Sequence, residues 1–176
     1  MRIISGSLGG QTFESPRSHK THPMSEKMRG ALFNSLGDIS GLTVFDAYGG
    51  SGAIGLEAYS RGASKVLITE IDYLATKIIS DNIKKLGVEV NVTLVRANAA
   101  SYSVKNPLKK FSIVICDPPY DDIVHNQILQ LGSSVEKEGL LVLSLPPEYK
   151  SYVLDGFDLI HQKKYGDATL VFQRKI

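Results

Sequence analysis

Residues 46–58 read D-A-Y-G-G-S-G-A-I-G-L-E-A, and within them Gly50, Gly52 and Gly55 fit the spacing G-x-G-x-x-G. A strand is predicted just before this stretch, at 42–46. A helix is predicted from about 52 to 61, with Gly62 able to close it in a left-handed conformation. Glycines between a strand and a helix let the backbone approach a ligand closely, and the helix N-terminus adds N–H donors. Glu70 ends a second predicted strand, 65–70, and stands 20 residues beyond Gly50. An acid at that place accepts the hydroxyls of a ribose. The pattern fits a bound nucleoside, either a nicotinamide dinucleotide or S-adenosylmethionine.

Asp46 separates the two. A carboxylate four residues before Gly50 repels a pyrophosphate at the glycine turn. It suits a ligand carrying an ammonium and a sulfonium. Opposite charges a few ångströms apart in a partly buried site are worth roughly 4 kcal/mol. The plainer readings are that Asp46 caps a helix, that Glu70 caps the next one, and that the turn is merely tight.

Outward from this stretch, apolar strands alternate with amphipathic helices, the pattern of a parallel α/β sheet. A helix at about 73–86 places Ile79, Ile83 and Leu86 on one face, with Gly87 as its stop. Further strands are predicted at 91–95, 111–116 and 140–145, and 157–164 with 168–173 form an antiparallel hairpin around Tyr165, Gly166 and Asp167. The run 111–116 is apolar throughout, as a strand covered on both faces should be. Ahead of the core, 2–4 and 11–14 are expected to pair around Gly6, Gly9 and Gly10. The stretch 15–23 is polar and irregular, and 24–36 has Met28, Leu32 and Leu36 at helical spacing. One domain is expected over 1–176, with 1–40 an extension packed on a core at 41–176.

Composition narrows the function classes. Apolar residues make up 43% of the chain and charged residues 22%, ordinary for a globular protein. The net charge of +2 announces no nucleic-acid partner by itself. The single cysteine, Cys116, lies in an apolar run and reads as a small buried hydrophobe. His19, His22, His125 and His161 lack zinc-ligand spacing, so no metal is expected. No signal-peptide core opens the chain and no membrane-length apolar run occurs, so the cytoplasm is the expected compartment and a monomer the expected state.

A second motif, Asp117-Pro118-Pro119-Tyr120, follows the fourth predicted strand. It therefore lies at the carboxyl edge of the sheet, where ligands bind. Prolines stiffen the turn and offer no N–H, which leaves carbonyls available as acceptors. Asp117 and the Pro118 carbonyl would accept the two hydrogens of an exocyclic amine while Tyr120 stacks on the base. The chemistry is then an in-line displacement driven mainly by positioning, with Asp117 able to accept a proton. A base inside a helix must be flipped out or already unpaired to reach such a pocket.

With both motifs in place, the chain resembles the class I methyltransferases, and more narrowly the RsmD family of 16S rRNA guanine-N2 methyltransferases. Arg2-Ile3-Ile4-Ser5-Gly6 resembles that family's opening R-I-I-x-G, and Arg29-Gly30-Ala31-Leu32-Phe33-Asn34 its R-x-A-L-F-N. Residues 46–58 resemble its cofactor loop, and Asp117 to Tyr120 its D-P-P-[FY]. The resemblance implies a Rossmann-like α/β fold with a seven-stranded, mostly parallel sheet in the order 3-2-1-4-5-7-6, strand 7 antiparallel. It implies S-adenosylmethionine as cofactor and ribosomal RNA of the small subunit as partner. The cofactor contacts expected are Asp46, Tyr48, Gly50, Ser51, Gly52, Glu70, Ile71, Asn98 and Ala99, with Ala97 and Asn98 beside the adenine. His22, Met24, Gly30 and Gly49 depart from the family's usual Arg, Thr, Glu and Ala.

Arg17, Lys20, Lys27 and Arg29, with His22 among them and Glu26 opposing, form the best candidate for a phosphate-contacting patch. A solvated loop and helix face is the alternative. Tyr48 and Phe33 suit either a pocket wall or simple packing. Other functions remain open: methylation of another planar amine, such as adenine N6 or a protein glutamine, an NAD-dependent dehydrogenase, or a non-catalytic ribosome assembly factor.

Overall fold

The computed structural model describes residues 1–16, 24–120, 123–149, 152–166 and 168–176. The chain runs α1 (Glu26–Leu36), β1 (Thr43–Asp46), α2 (Ala53–Ser60), β2 (Lys65–Glu70), α3 (Tyr73–Leu86), β3 (Val92–Arg96), α4 (Ala99–Lys105), β4 (Phe111–Cys116), α5 (His125–Ser133), β5 (Val135–Leu145), β6 (Phe157–Tyr165) and β7 (Ala168–Lys175). The strands form one sheet in the order β3-β2-β1-β4-β5-β7-β6. The five strands β1 to β5 pair in parallel with their neighbours, and β7 lies antiparallel between β5 and β6. The expected order and the antiparallel seventh strand are both found.

Period-two alternation sorts the strand side chains onto two faces. Val44, Val66, Ile68, Ile113, Ile115 and Val142 join one apolar cluster, covered by α2, α3 and the segment before β1. Phe45, Leu67, Val114, Cys116, Leu141 and Leu143 join the other, where Ile128 and Leu131 of α5 pack. Cys116 is fully buried, as its apolar run predicts. Two sheet faces need two helical layers, and that is why α4 and α5 form although no helix was expected in either stretch. Each is short. The Asn98 side chain caps α4 by accepting from Ser101 N–H, whereas α5 has no side-chain cap at all.

The ends of α1 and α3 follow their caps. Ser25 accepts from Met28 N–H to open α1, two residues later than the spacing of Met28, Leu32 and Leu36 suggests. Asp72 opens α3, and Gly87, at φ 67°, closes it as expected. β5 begins earlier than the predicted 140–145. Phe111 pairs with Val135 and Ile113 with Leu140, so β5 advances five residues while β4 advances two. Arg2 and Thr12 make an antiparallel bridge, the expected pairing in minimal form. Ile3 and Phe13 on either side of it are buried in the first cluster.

β1 lies at the reversal of strand order, between β2 and β4. In an open α/β sheet that reversal leaves a crevice at the carboxyl ends. Asp46 stands in register with Ile68 on one side and Ile115 on the other, so Asp46, Glu70 and Asp117 all come to this one edge.

Candidate active site

After β1 the backbone folds back on itself against β2. Gly49 donates to the Thr69 carbonyl at 2.8 Å and Gly52 to the Gly49 carbonyl at 2.6 Å. Gly50 and Gly52 take φ of 55° and 79°, which a side chain disfavours. Gly55 is held to glycine by packing: a Cβ there would lie 2.6 Å from Ile68 Cδ1. The close approach of α2 to β2 thus requires that residue. Gly55→Ala should destabilise the protein by about 1–3 kcal/mol, the usual cost of forcing a methyl into a filled core. A urea melt checks this, and a midpoint unchanged from wild type would contradict it. Gly49, where the family usually has Ala, is tight as well: a Cβ would sit 2.7 Å from Ile68 Cγ2, so an alanine here needs the isoleucine to move.

Two carboxylates hold the loop. Glu70 Oε2 accepts from Gly50 N–H at 2.7 Å, and Oε1 from Ile71 and Asp72 N–H at 2.8 Å each. Of the roughly four lone-pair positions on a carboxylate, three are used, and a ribose hydroxyl has to take the fourth or displace a backbone donor. Asp46 is only 1% exposed. Its Oδ2 accepts from Gly55 N–H at 2.9 Å, while its buried Oδ1 makes no hydrogen bond among the described residues. Burial pushes this carboxyl up to about 7, against the pull of Gly55 N–H. The charges of Asp117 and Glu70 contribute to that value, and the Tyr48 N–H opposes it. The helix-capping reading of Asp46 is therefore met by one oxygen only.

A cleft opens between the loop, the end of β2 and the start of α4. Ala47, Tyr48, Glu70, Ile71, Asn98 and Ala99 line it. Five expected cofactor contacts (Tyr48, Glu70, Ile71, Asn98 and Ala99) are thus brought together, while Asp46, Gly50, Ser51 and Gly52 are not among the lining residues. Ile71 is 64% exposed, an apolar side chain left in solvent at the cleft mouth. Phe33, the other aromatic weighed for a pocket wall, is in the core with Arg61 5.2 Å over its ring.

The Asp117-Pro118-Pro119-Tyr120 corner follows β4. Burial raises the Asp117 carboxyl to about 6, against the downward pull of the Ser144 hydroxyl. Pro118 is buried, Pro119 is exposed and Tyr120 is 38% exposed, its hydroxyl 3.3 Å from Ser144 Oγ. Near this corner are further side chains, of which only Tyr48 belongs to a motif. The Tyr48 hydroxyl donates to Gln127 Oε1 at 3.4 Å, His125 Nδ1 pairs with the Tyr152 hydroxyl, and Tyr149 lies beside Tyr152. They come from three separate segments, so only the fold assembles them.

The expected basic patch needs correction. Arg17, Lys20 and His22 lie outside the described residues, and Lys27 is exposed on α1. Arg29 is fully buried and cannot reach a phosphate. Its Nη2 donates to the Arg2 carbonyl at 2.6 Å, and its Nε lies 3.6 Å from Glu57 Oε2. Desolvation lowers its pKa, with Glu57 opposing that effect. Glu57, also fully buried, accepts from Ile4 N–H, Ser5 N–H and Arg61 Nε. The pair ties the N-terminal segment to α2, the helix that begins at the glycine loop. Among the described residues no group of three or more His, Cys, Asp or Glu side chains could hold a metal ion, and no helix is long and apolar enough to cross a membrane.

Comparison with known proteins adds to this geometry. The sequence family described as Conserved hypothetical protein 95 matches residues 1–174. The YlbH protein of Bacillus subtilis is 28% identical over 183 aligned positions, covering 99% of each chain. Ribosomal RNA small subunit methyltransferase D of Escherichia coli K12 is 33% identical over 121 positions, covering 68% of this chain and 60% of that protein. The solved yhhF protein of Escherichia coli superposes with a TM-score of 0.88 at 26% identity, covering 99% of this chain and 97% of that one.

Proposed function

The chain belongs to the Conserved hypothetical protein 95, or RsmD, family of S-adenosylmethionine-dependent ribosomal RNA methyltransferases, and from that premise we propose that it methylates the N2 amine of a guanine in 16S rRNA. The observation that carries the reading is the buried Oδ1 of Asp46, which makes no hydrogen bond among the described residues, with Asp117 just past the end of the adjacent strand. A buried carboxylate oxygen without a donor is costly alone and suited to a cation.

Asp46 Oδ1 would take the ammonium of the cofactor and Glu70 its ribose, and Ile71, Asn98 and Ala99 would flank its adenine. Bound S-adenosylmethionine supplies an electrophilic methyl on a sulfonium. Asp117 and the Pro118 carbonyl accept the two amine hydrogens of a flipped-out guanine, and Tyr120 stacks on its ring. Held this way, the nitrogen lone pair faces the methyl, and placement supplies most of the rate. On transfer of the methyl group the amine would lose a proton, and Asp117 is the group that would accept it. Residues 1–40 belong to the same domain, and Lys27, exposed on α1, faces the RNA.

Incubating the protein with methyl-labelled cofactor and small ribosomal subunits, then digesting the RNA to nucleosides, tests the reading. N2-methylguanosine is expected, and none with Asp117→Ala. Label in N6-methyladenosine, or in protein, would overturn the guanine assignment.

Cofactor binding should depend on pH. Asp46 must be ionised to hold an ammonium, and its carboxyl sits at about 7 in the free protein. Affinity for S-adenosylhomocysteine is expected to rise as pH rises toward 7, by up to about tenfold per unit. The unliganded fold shows the opposite trend. Asp46 and Asp117 are protonated more readily folded than unfolded, so their stabilising contribution fades as pH rises from about 4 to 7. Calorimetric titrations from pH 5.5 to 8 check the binding trend, and Asp46→Asn should flatten it.

A further inference from the structure

We propose that Ser144 is a positioning residue for Asp117, holding its carboxylate in place through a hydrogen-bonded chain that runs from the Tyr120 hydroxyl through Ser144 Oγ to Asp117. The role rests on the reading of Asp117 as the group that receives the substrate amine. Cys116 stands in parallel register with Leu143, so one residue further on Asp117 and Ser144 lie side by side at the ends of β4 and β5. Ser144 is 1% exposed, and a hydroxyl so buried requires partners. On its other flank β7 presents Leu170, which offers no polar side chain. The Tyr120 hydroxyl lies 3.3 Å away, and the Asp117 carboxyl, next to Ser144 in register, is the other group within the hydroxyl's influence, which lowers its pKa.

The direction of the chain follows from counting protons. A serine hydroxyl has one hydrogen, and an ionised carboxylate can only accept. With Asp117 charged, Ser144 must donate to it, and Tyr120 must then donate to Ser144. Each bond polarises the next and strengthens the donor that Asp117 sees. The same chain fixes the tyrosine ring at the place where a base would stack. Protonating Asp117 removes the reason for this direction and loosens the corner. The other titratable groups facing Asp117 are Asp46 on β1 and the Cys116 thiol, both of which feel its charge. His125 and Tyr152, beyond the corner, are bonded to each other.

The test follows the Asp117 carboxyl by carbon-13 NMR in protein labelled at aspartate, alongside the pH profile of kcat for methyl transfer to small ribosomal subunits. In wild type the midpoint is expected near 6. Ser144→Ala should move it upward by about one unit and carry the acid limb of kcat with it. Ser144→Thr, which keeps the hydroxyl, should restore both. Tyr120→Phe should shift the midpoint in the same direction by less. A midpoint unmoved in a folded Ser144→Ala protein overturns the proposal, as does a shift that Thr fails to reverse. The NMR titration needs no turnover. If the midpoint shifts but no RNA is methylated, the chain of hydrogen bonds stands and the guanine reading is what falls.

Discussion

Asp117→Asn is expected to lower kcat for methyl transfer by roughly two to four orders of magnitude while leaving affinity for S-adenosylhomocysteine within a few-fold of wild type. The isosteric amide fills the same space after β4 and keeps one carbonyl oxygen toward the amine. It loses the negative charge that orients both amine hydrogens, and it cannot take the proton released as the N–C bond forms. The substitution also removes a carboxyl that burial holds at about 6, so above that pH the variant should be no less stable than wild type. Activity and stability then move apart. Single-turnover kinetics with labelled cofactor and a urea melt at pH 7.5 measure the two effects. A kcat within threefold of wild type would remove Asp117 from the chemistry. An equal loss of activity and folding would make it a structural residue.

The parts of this architecture legible in the sequence are those where one physical pattern has one structural outcome. The strands 65–70 and 111–116 are found at their expected bounds, because an apolar run buried on both faces has little freedom in where it starts or stops. The glycine loop is legible for a similar reason: positive φ at Gly50 and Gly52 and contact at Gly55 restrict the residue type. What is not legible depends on a partner far along the chain. Arg29 sits among other cations on a helix of mixed polarity, where exposure is the ordinary outcome. Only the fold shows Glu57 facing it across the packed N-terminal segment. Ser144 carries no signal either, since a serine ending an apolar strand reads as a terminus until β4 and β5 fall into register beside Asp117. α4 and α5 were missed because a helix of seven or nine residues spans too few turns to establish a period.

The buried pair that corrects the Arg29 assignment makes the largest stability prediction, and it is asymmetric. Glu57→Leu should destabilise the protein by about 3–5 kcal/mol, because it strands a buried guanidinium. It also leaves the Ile4 and Ser5 N–H groups without the acceptor that now binds them at 2.8 and 3.1 Å. Arg29→Met removes the cation but leaves Glu57 with both backbone donors and Arg61 Nε at 2.8 Å. Two of the three guanidinium nitrogens, Nε and Nη1, make no hydrogen bond among the described residues, so little else is lost. The expected cost is about 1–2 kcal/mol, chiefly from the lost bond to the Arg2 carbonyl and the unbalanced carboxylate charge. In this account Glu57 is the acceptor that fastens the N-terminal segment to α2, and Arg29 offsets its charge. Urea unfolding of the two single variants and the double variant measures the difference, with the double expected to cost less than Glu57→Leu alone because removing Arg29 also removes the stranded charge. Equal costs for the two single variants would show instead that the ion pair itself, and not the backbone anchorage, holds the segment down.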